Sequence, residues 1–430
     1  MKIPPVKGTR DFYPPDMAIR NFIMDGWKKV SLRNGFEEYD GPIFEYLKMY
    51  QIKSGDEIVE QLFSLTDRGG RNLALRPEIT PTLARMVNQK INALPKPIKW
   101  FSVPRLFRAE RPQKGRLREF FQWNIDIIGV NQSIADAEII FTTVDYLRDA
   151  GLTPKDIKVR ISSRKLLAAV LKSYGVPDEK LEYLYVVLDK KTKLPADTFK
   201  QMLAEQMPDK ETLNKILQFM SIDSIPELGE FIKAESDEFT AYTEIKTVLG
   251  TLETMGVGDY CVYDPSIVRG LAYYTGIVFE VHDAVGDLRA ICGGGRNDNL
   301  LRDFGGPSIS ATGMGMGDCV LEILLKEKGL LDKQVPKRQI DYFVACIGHI
   351  GNEAWRIIAK LRSMGYSANI SYKTGGLSKQ LKEASAQNAK NCIIIGEEEL
   401  KEGKIGIKDM ATGEQELVGR DEFFSGLDSA

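Results

Sequence analysis

Residues 98–129 read IKWFSVPRLFRAERPQKGRLREFFQWNIDIIG. Two apolar, aromatic-rich runs, 98–109 and 119–129, have the composition of strands, with the polar RPQKGR between them as a loop. From position 99 to 118 stand Lys99, Arg105, Arg108, Arg111, Lys114, Arg116 and Arg118 against Glu110 alone. Seven basic residues less one acid leave a local charge of +6. A solvated basic face is the plain reading of such a run. Here Phe101, Phe107, Phe120, Phe121 and Trp123 are interleaved with the charges. Guanidinium forks suit phosphate and aromatic planes suit bases, so the stretch reads as a nucleotide site whose loop is placed to touch a nucleic-acid backbone.

Toward the N-terminus, Ile19, Phe22, Ile23, Trp27 and Val30 recur at helical spacing, predicting a helix over 16–34 capped by Asp16 and stopped at Asn34-Gly35. Phe36 to Gly41 is extended up to Pro42. Strands at 60–66 and 72–76 flank the turn Asp67-Arg68-Gly69-Gly70, and a helix follows over 80–92. Another helix is expected over 135–149. From 166 to 248 the pattern is helical, rich in Leu, Lys and Glu and punctuated by prolines, with a short strand-like run at 183–188. Strands return at 260–263, 272–282 and 288–292; Gly293-Gly294-Gly295 follows, then a helix over 318–328. Residues 332–339 read as a linker. Beyond it, strands at 340–347, 367–372 and 391–396 alternate with helices at 352–364 and 377–389 before a hairpin-like tail at 404–418, the pattern of a small α/β domain. The expected organisation is a core in two parts, 1–165 and 249–331, a helical insertion over 166–248, and a C-terminal domain over 332–430.

The chain has 430 residues, 43% hydrophobic and 27% charged, which fits two or three globular domains. Its 58 Lys and Arg against 60 Asp and Glu give a formal charge of −2, excluding a polybasic protein but not a local basic patch. No apolar run reaches the roughly 18 residues of a membrane span, and MKIPPVKGTRDFYPP lacks the apolar segment of a signal peptide. Five scattered cysteines without C-x-x-C read as free thiols in a reducing, cytoplasmic compartment. His282 and His349 are the only histidines; no ligand spacing surrounds them, so no zinc site is expected and both read as packing or surface residues.

No P-loop occurs, and no G-x-G-x-x-G opens a helix after an early strand. Gly313, Gly315 and Gly317 form G-x-G-x-G, read as close packing where a backbone must approach something. Phosphate binding therefore falls to arginine side chains on a sheet. Two further polar groups accompany the basic stretch. In DPSIVRGLAYYTGIVFE (264–280), Arg269 precedes Tyr273-Tyr274, and an arginine beside apolar sequence calls for an anion. In Leu75-Arg76-Pro77-Glu78-Ile79-Thr80 a strand gives way to a helix, for which Glu78 suits the N-terminus and Thr80 the cap.

Taken in order, these groups resemble the histidyl-tRNA synthetase family of class II aminoacyl-tRNA synthetases. KGTRDFYP (7–14) looks like the family's opening, and the helix and strand ending at Pro42 resemble the class II dimer motif. LRPEITP (75–81) resembles the amino-acid-binding strand, and FRAERPQKGRLREFFQ (107–122) the second class motif. VRGLAYYTG (268–276) and GGGRND (293–298) resemble the two histidine motifs. LSKQLKEASAQNAKNCIIIGEEEL (377–400) and IKDMATGEQ (407–415) look like the anticodon-binding domain.

The resemblance implies an α/β (α+β) chain: a class II antiparallel-sheet catalytic core rather than a Rossmann fold, a helical insertion and a C-terminal α/β anticodon-binding domain. It implies a cytoplasmic homodimer, not membrane-bound, that uses ATP with Mg²⁺ to activate histidine and then charges the 3′ end of histidine tRNA. By the same resemblance Arg108 meets the α-phosphate, Glu110 the adenine amino group, and Phe120 the adenine face. Glu78, Thr80 and Gln122 hold the amino group of histidine. Asp126 and Tyr274, with Tyr273 beside them, serve the imidazole. Arg269 bridges the substrate carboxylate and the α-phosphate, and Arg111 and Gln113 face the acceptor end of the tRNA. The chain departs from the family pattern at Ala272, where many members carry Asp, at Asp126, where some carry Glu, and at Val320 in GMGMGDCVL (313–321), where an arginine binds the γ-phosphate. Arg116, Arg118 or Arg296 is expected to supply that charge. The alternative reading is a non-catalytic histidine-binding regulatory subunit of ATP phosphoribosyltransferase, against which the tail from about 335 argues; a tRNA-binding or sensor module is a third, opposed by intact Arg108, Glu110 and Arg269.

Overall fold

The computed structural model describes residues 3–54, 62–191, 194–207, 209–232, 236–269, 273–285, 288–348, 351–372 and 375–428. Ala272, His349 and the first two positions of the strand expected at 60–66 lie outside the described residues. The chain divides into two compact units, Met1–Val335 and Pro336–Ala430.

In the first unit the elements run α1 (Pro14–Arg33), β1 (Glu37–Glu38), β2 (Phe44–Tyr46), α2 (Leu47–Ser54), β3 (Ser64–Thr66), β4 (Asn72–Leu75), α3 (Thr80–Lys90), β5 (Ile98–Ser102), β6 (Arg105–Phe107), β7 (Glu119–Ile128), α4 (Ile134–Asp149) and β8 (Ile157–Ser163). A helical stretch follows: α5 (Arg164–Ser173), α6 (Asp178–Leu188), α7 (Ala196–Gln206), α8 (Lys210–Phe219), α9 (Ile225–Phe231) and α10 (Asp237–Thr254). The unit closes with β9 (Cys261–Tyr263), β10 (Ile277–Asp283), β11 (Cys292–Arg296), α11 (Leu300–Asp303), β12 (Ala311–Gly317), α12 (Asp318–Glu327) and α13 (Leu330–Gln334).

One sheet organises this unit, in the order β1-β5-β7-β12-β11-β10-β8-β9, with β6 also paired to β7. The inner pairings are antiparallel and only the outermost pairs, β1 with β5 and β8 with β9, are parallel. A Rossmann arrangement is thereby excluded. α1 and α4 cover one face: Trp27 stacks on Trp123 of β7 at 6.3 Å, and Tyr146 of α4 closes the cluster. The indole Nε1 of Trp123 donates to Ser31 Oγ at 2.8 Å, so the aromatic core leaves no polar hydrogen of that ring unpaired. Asp16 does not precede α1. It sits in the first turn, where its carboxylate accepts from the Tyr13 amide at 3.1 Å. Thr80 likewise is the first helical residue of α3 rather than its cap.

Strand expectations shift in several places, and the run expected from 272 begins only at Ile277. The run 183–188 belongs to α6, because Leu181, Leu184, Tyr185 and Leu188 recur at helical spacing and are buried together. The long run 98–109 breaks at Val103-Pro104 into β5 and β6. The strand expected at 288–292 starts only at Cys292, and the three glycines that follow the expected run are part of β11.

The second unit comprises β13 (Ile340–Cys346), α14 (Gly351–Ser363), β14 (Ala368–Ile370), α15 (Leu377–Ala386), β15 (Ala389–Ile395), α16 (Glu397–Lys401), β16 (Lys404–Asp409), β17 (Gln415–Gly419) and α17 (Arg420–Asp428). Its sheet runs β14-β13-β15-β16-β17, parallel where helices make the crossovers and antiparallel in the terminal hairpin. Its apolar clusters, around Val344 with Ile393 and around Phe343 with Cys392, are its own.

Candidate active site

The face of the large sheet away from α1 and α4 carries a cavity of about 420 Å³. Strand alternation builds its wall: Gln122, Asn124 and Asp126 are successive same-face residues of β7 and all line it. Its floor is made of glycine. Register sets Gly313 and Gly315 of β12 opposite Asp126 and Asn124, and Gly295 and Gly293 of β11 opposite Gly313 and Gly315. A Cβ on Gly313 would stand 2.1 Å from Asp126 Oδ1, and one on Gly293 would stand 1.6 Å from Arg269 Nη1. Missing side chains on two strands thus leave room for polar side chains from their neighbours to lie across the sheet.

Glu78 enters from the turn before α3 and Thr80 from the first residue of that helix. That turn is held by Arg76, itself buried, whose guanidinium donates to Asp40 at 2.6 Å, to the Gly41 carbonyl at 2.7 Å and to the Arg105 carbonyl at 3.1 Å. Arg108 follows β6, donates through Nε to the Pro77 carbonyl at 3.2 Å, and lies 4.9 Å over the Phe120 ring. Burial, and the positive charge of Arg116, lower the Arg108 pKa from its ordinary value, against the pull of Glu78 and Glu110. A buried guanidinium beside a like charge is a binding place for an anion. Arg269 sits at φ 50°, with its guanidinium 5.4 Å over the Tyr274 ring and its buried Nε without a hydrogen-bond partner among the described residues. Tyr273 and Tyr274 stand 4.5 Å apart. Burial, and next the Glu78 carboxylate, push the Tyr273 hydroxyl up to about 12, so it is a neutral donor at physiological pH.

A smaller adjoining cavity of about 210 Å³ shares Arg108, Arg116, Gln122 and Arg269 with the first and adds Phe120, Glu280 and Val320. The sequence-predicted residues Glu78, Thr80, Arg108, Glu110, Arg116, Gln122, Asp126, Arg269, Tyr273 and Tyr274 therefore meet around one cavity, with Phe120 next to it. Arg118 points elsewhere, donating to the carbonyls of Glu110 at 3.2 Å and Lys7 at 3.5 Å. Arg111 and Gln113 are exposed on the hairpin loop, where Gln113 pairs with Arg116 across the turn and accepts from Arg289. Arg296, one expected source of the missing charge, is bound instead to Asp136 at 2.7 Å and to the carbonyls of Val130 and Gln132, lining a different cavity. Val320 packs under the loop: a Cβ on Gly115 would lie 2.8 Å from its Cγ2. Arg116, which pairs with Glu110, is the loop guanidinium lining both cavities.

Asn124, Asn297, Thr312 and Glu280 also line these cavities and were not singled out from sequence. Alternation along β7 carries the signal for Asn124; Glu280 is concealed in the apolar run IVFEVH. Among the described residues no group of three or more His, Cys, Asp or Glu side chains is arranged to hold a metal ion.

The family model for histidyl-tRNA synthetase matches residues 8–317, and that for the anticodon binding domain matches residues 341–429. The chain is 39% identical over 412 residues to a chloroplastic/mitochondrial histidine–tRNA ligase of Arabidopsis thaliana, covering 96% of this chain and 84% of that one. It is 38% identical over 418 residues to a histidine–tRNA ligase of Opitutus terrae, covering 96% and 95%. In fold it is similar to a histidyl-tRNA synthetase from Nostoc sp. PCC 7120, with a TM-score of 0.84, 23% identity, and coverage of 100% and 99%.

Proposed function

The chain belongs to the histidyl-tRNA synthetase family, and from that premise we propose how its glycine-floored cavity activates histidine with ATP and passes it to tRNA. It is a class II histidine–tRNA ligase. In the first step a carboxylate oxygen of histidine attacks the α-phosphorus of ATP. An acyl–phosphate bond forms, the bond to the β-phosphate oxygen breaks, and pyrophosphate leaves with the electron pair. Both reactants are anions, so their repulsion is part of the barrier. Arg108 and Arg269, brought to one cavity, offset it in the pentavalent state without reorganising. No general base is required, since the carboxylate is already ionised. In the second step the terminal ribose hydroxyl of the tRNA attacks the acyl carbon, the ester forms, and AMP departs.

The remaining assignments belong to the same proposal. Glu78, Thr80 and Gln122 hold the α-amino group, and Asp126 and Tyr274 hold the two imidazole nitrogens; their convergence on one cavity supports this. An amino acid lacking those nitrogens would leave buried polar groups unpaired, worth on the order of 10⁴ in discrimination. Phe120 stacks on adenine, Glu110 accepts from its amino group, and Arg116 faces the triphosphate tail. Arg111 and Gln113 meet the acceptor end. Mg²⁺ arrives with ATP as part of the substrate, because that ion is commonly held by phosphates and few protein ligands.

Four further readings complete the proposal. The core comprises 1–165 and 249–331, interrupted by the insertion 166–248 and followed by the anticodon-binding domain 332–430; β8 through β12 share one sheet across the interruption, which supports it. The working form is a homodimer, a reading supported by exposed Ile43, Phe44, Tyr46 and Leu65 next to the segment that ends at Pro42. The compartment is the cytoplasm, in keeping with five free cysteines. No membrane partner is invoked, and among the described residues no helix is long and apolar enough to cross a membrane. The observation that carries the mechanism is the convergence of Arg108 and Arg269 on the cavity walled by Gln122 and Asp126. Its test is ATP–pyrophosphate exchange with each of the twenty amino acids: histidine alone should stimulate it, and exchange with another amino acid, or with none, would overturn the reading.

A further inference from the structure

Arg269 has a neighbour that anion binding does not call for. Glu280 of β10 lies opposite Gly293 of β11, and the Arg269 guanidinium occupies the space that a side chain on Gly293 would take. Glu280 Oε1 is 3.2 Å from Arg269 Nη1, and Nη1 also reaches the Phe279 carbonyl at 3.5 Å. Glu280 Oε2 is 3.0 Å from Nε2 of His282, the next same-face residue of the strand. A carboxylate accepts only, so the histidine nitrogen is the donor. Glu280 faces the cavity shared by Arg108, Arg116 and Arg269, where a negative charge repels phosphate. It is therefore poorly placed to bind the nucleotide and well placed to orient the arginine. Arg269 needs such orientation, because it departs from left-handed backbone and its Nε has no hydrogen-bond partner among the described residues.

We propose that Glu280 is a positioning residue for adenylation: one oxygen fixes the Arg269 guanidinium over Gly293, and the other is fixed by His282. The inference rests on the ligase reading, in which Arg269 bridges the substrate carboxylate and the α-phosphate. The experiment is histidine-dependent ATP–pyrophosphate exchange with the full chain, comparing wild type, Glu280→Ala, Glu280→Gln, His282→Ala and the double alanine variant. Misplacing a guanidinium in the transition state lowers kcat with little effect on KM. Glu280→Ala should thus lose about 100-fold in kcat while both KM values move less than about threefold. Glu280→Gln, which keeps an oxygen acceptor of the same shape, should recover about tenfold of that loss. His282→Ala alone should cost about threefold and nothing further on top of Glu280→Ala, since its effect passes through that carboxylate.

A purely structural role would lower the melting temperature and leave the kcat of the folded fraction unchanged, and that outcome in Glu280→Ala overturns the proposal. If Glu280→Ala does not fold, the isosteric Gln variant decides: about a tenfold loss in kcat supports positioning, and wild-type kcat overturns it. Additive losses in the double variant overturn the part given to His282. A wild-type chain without exchange overturns the ligase reading itself, a result distinct from all of these.

Discussion

Arg269 gathers unfavourable features at a single position: left-handed backbone, a half-buried side chain, and a buried guanidinium nitrogen without a hydrogen-bond partner among the described residues. Strain of this kind amounts to about 1–3 kcal/mol and persists where the surroundings over-determine it. Arg164 contributes by donating to the Arg269 carbonyl at 3.2 Å, itself stacked 4.0 Å from Tyr185. Arg269→Ala should therefore leave the melting temperature unchanged or slightly raised, while exchange falls about 10²–10³-fold; near-wild-type exchange would remove the residue from the chemistry. Most cavity residues were legible in the sequence, because arginines, a tyrosine pair and acids stood in ordered motifs. Glu280 was not, since one acid in an apolar strand reads as an edge residue until its partner is seen. Val320 was legible as a departure only. Its consequence, a seat for Gly115 beneath the loop that presents Arg116, depends on a long-range contact that no local pattern encodes.

At the scale of elements, β11 and β12 invert the usual reading of glycine. Glycine is depleted in strands and weakens them; for Gly293–Gly295, pairing on both sides with β10 and β12 supplies what propensity withholds. Gly313→Ala should be folded but impaired, with histidine KM raised about tenfold or more and ATP KM nearly unmoved, because the new methyl meets Asp126 first. Equal effects on both KM values would place Asp126 elsewhere in function. The misread run at 183–188 failed for a related reason: Tyr-Val-Val favours strands locally, yet the burial of Leu181, Leu184 and Leu188 fixes a helix. Where α1 meets α4, Asp145 accepts from Asn34 at 2.9 Å and from Arg33 and Arg148 at 3.0 Å each. Burial alone would raise its pKa, but the hydrogen bonds from Asn34 and Arg33 outweigh it and hold the carboxyl below its ordinary value. A depressed folded pKa stabilises above the unfolded value of about 3.9 and ceases to do so as pH falls through the folded one. Asp145→Ala should cost about 2 kcal/mol near pH 7, and the gap to wild type in denaturant melts should narrow as pH falls below the ordinary carboxylate range.

At the scale of the whole molecule, each compact unit has its own buried clusters, and each matches a separate family model. Ending the chain at Val335 should leave histidine-dependent exchange within about threefold while tRNA charging falls about 100-fold or more, read in parallel assays; equal losses would mean that the units do not divide the labour. This division was legible because the β-α alternation after 340 differs in period from what precedes it. The order of strands in the large sheet was not, since it depends on partners distant in sequence. The glycines of the cavity floor bear on how the gene can change. Every glycine codon begins with two guanines, and any amino-acid change of one base places an atom where the pocket has none to spare. Drift is thereby blocked in the floor while the wall, built of side chains, stays open to it, and substrate preference has a route to shift from the side but not from below.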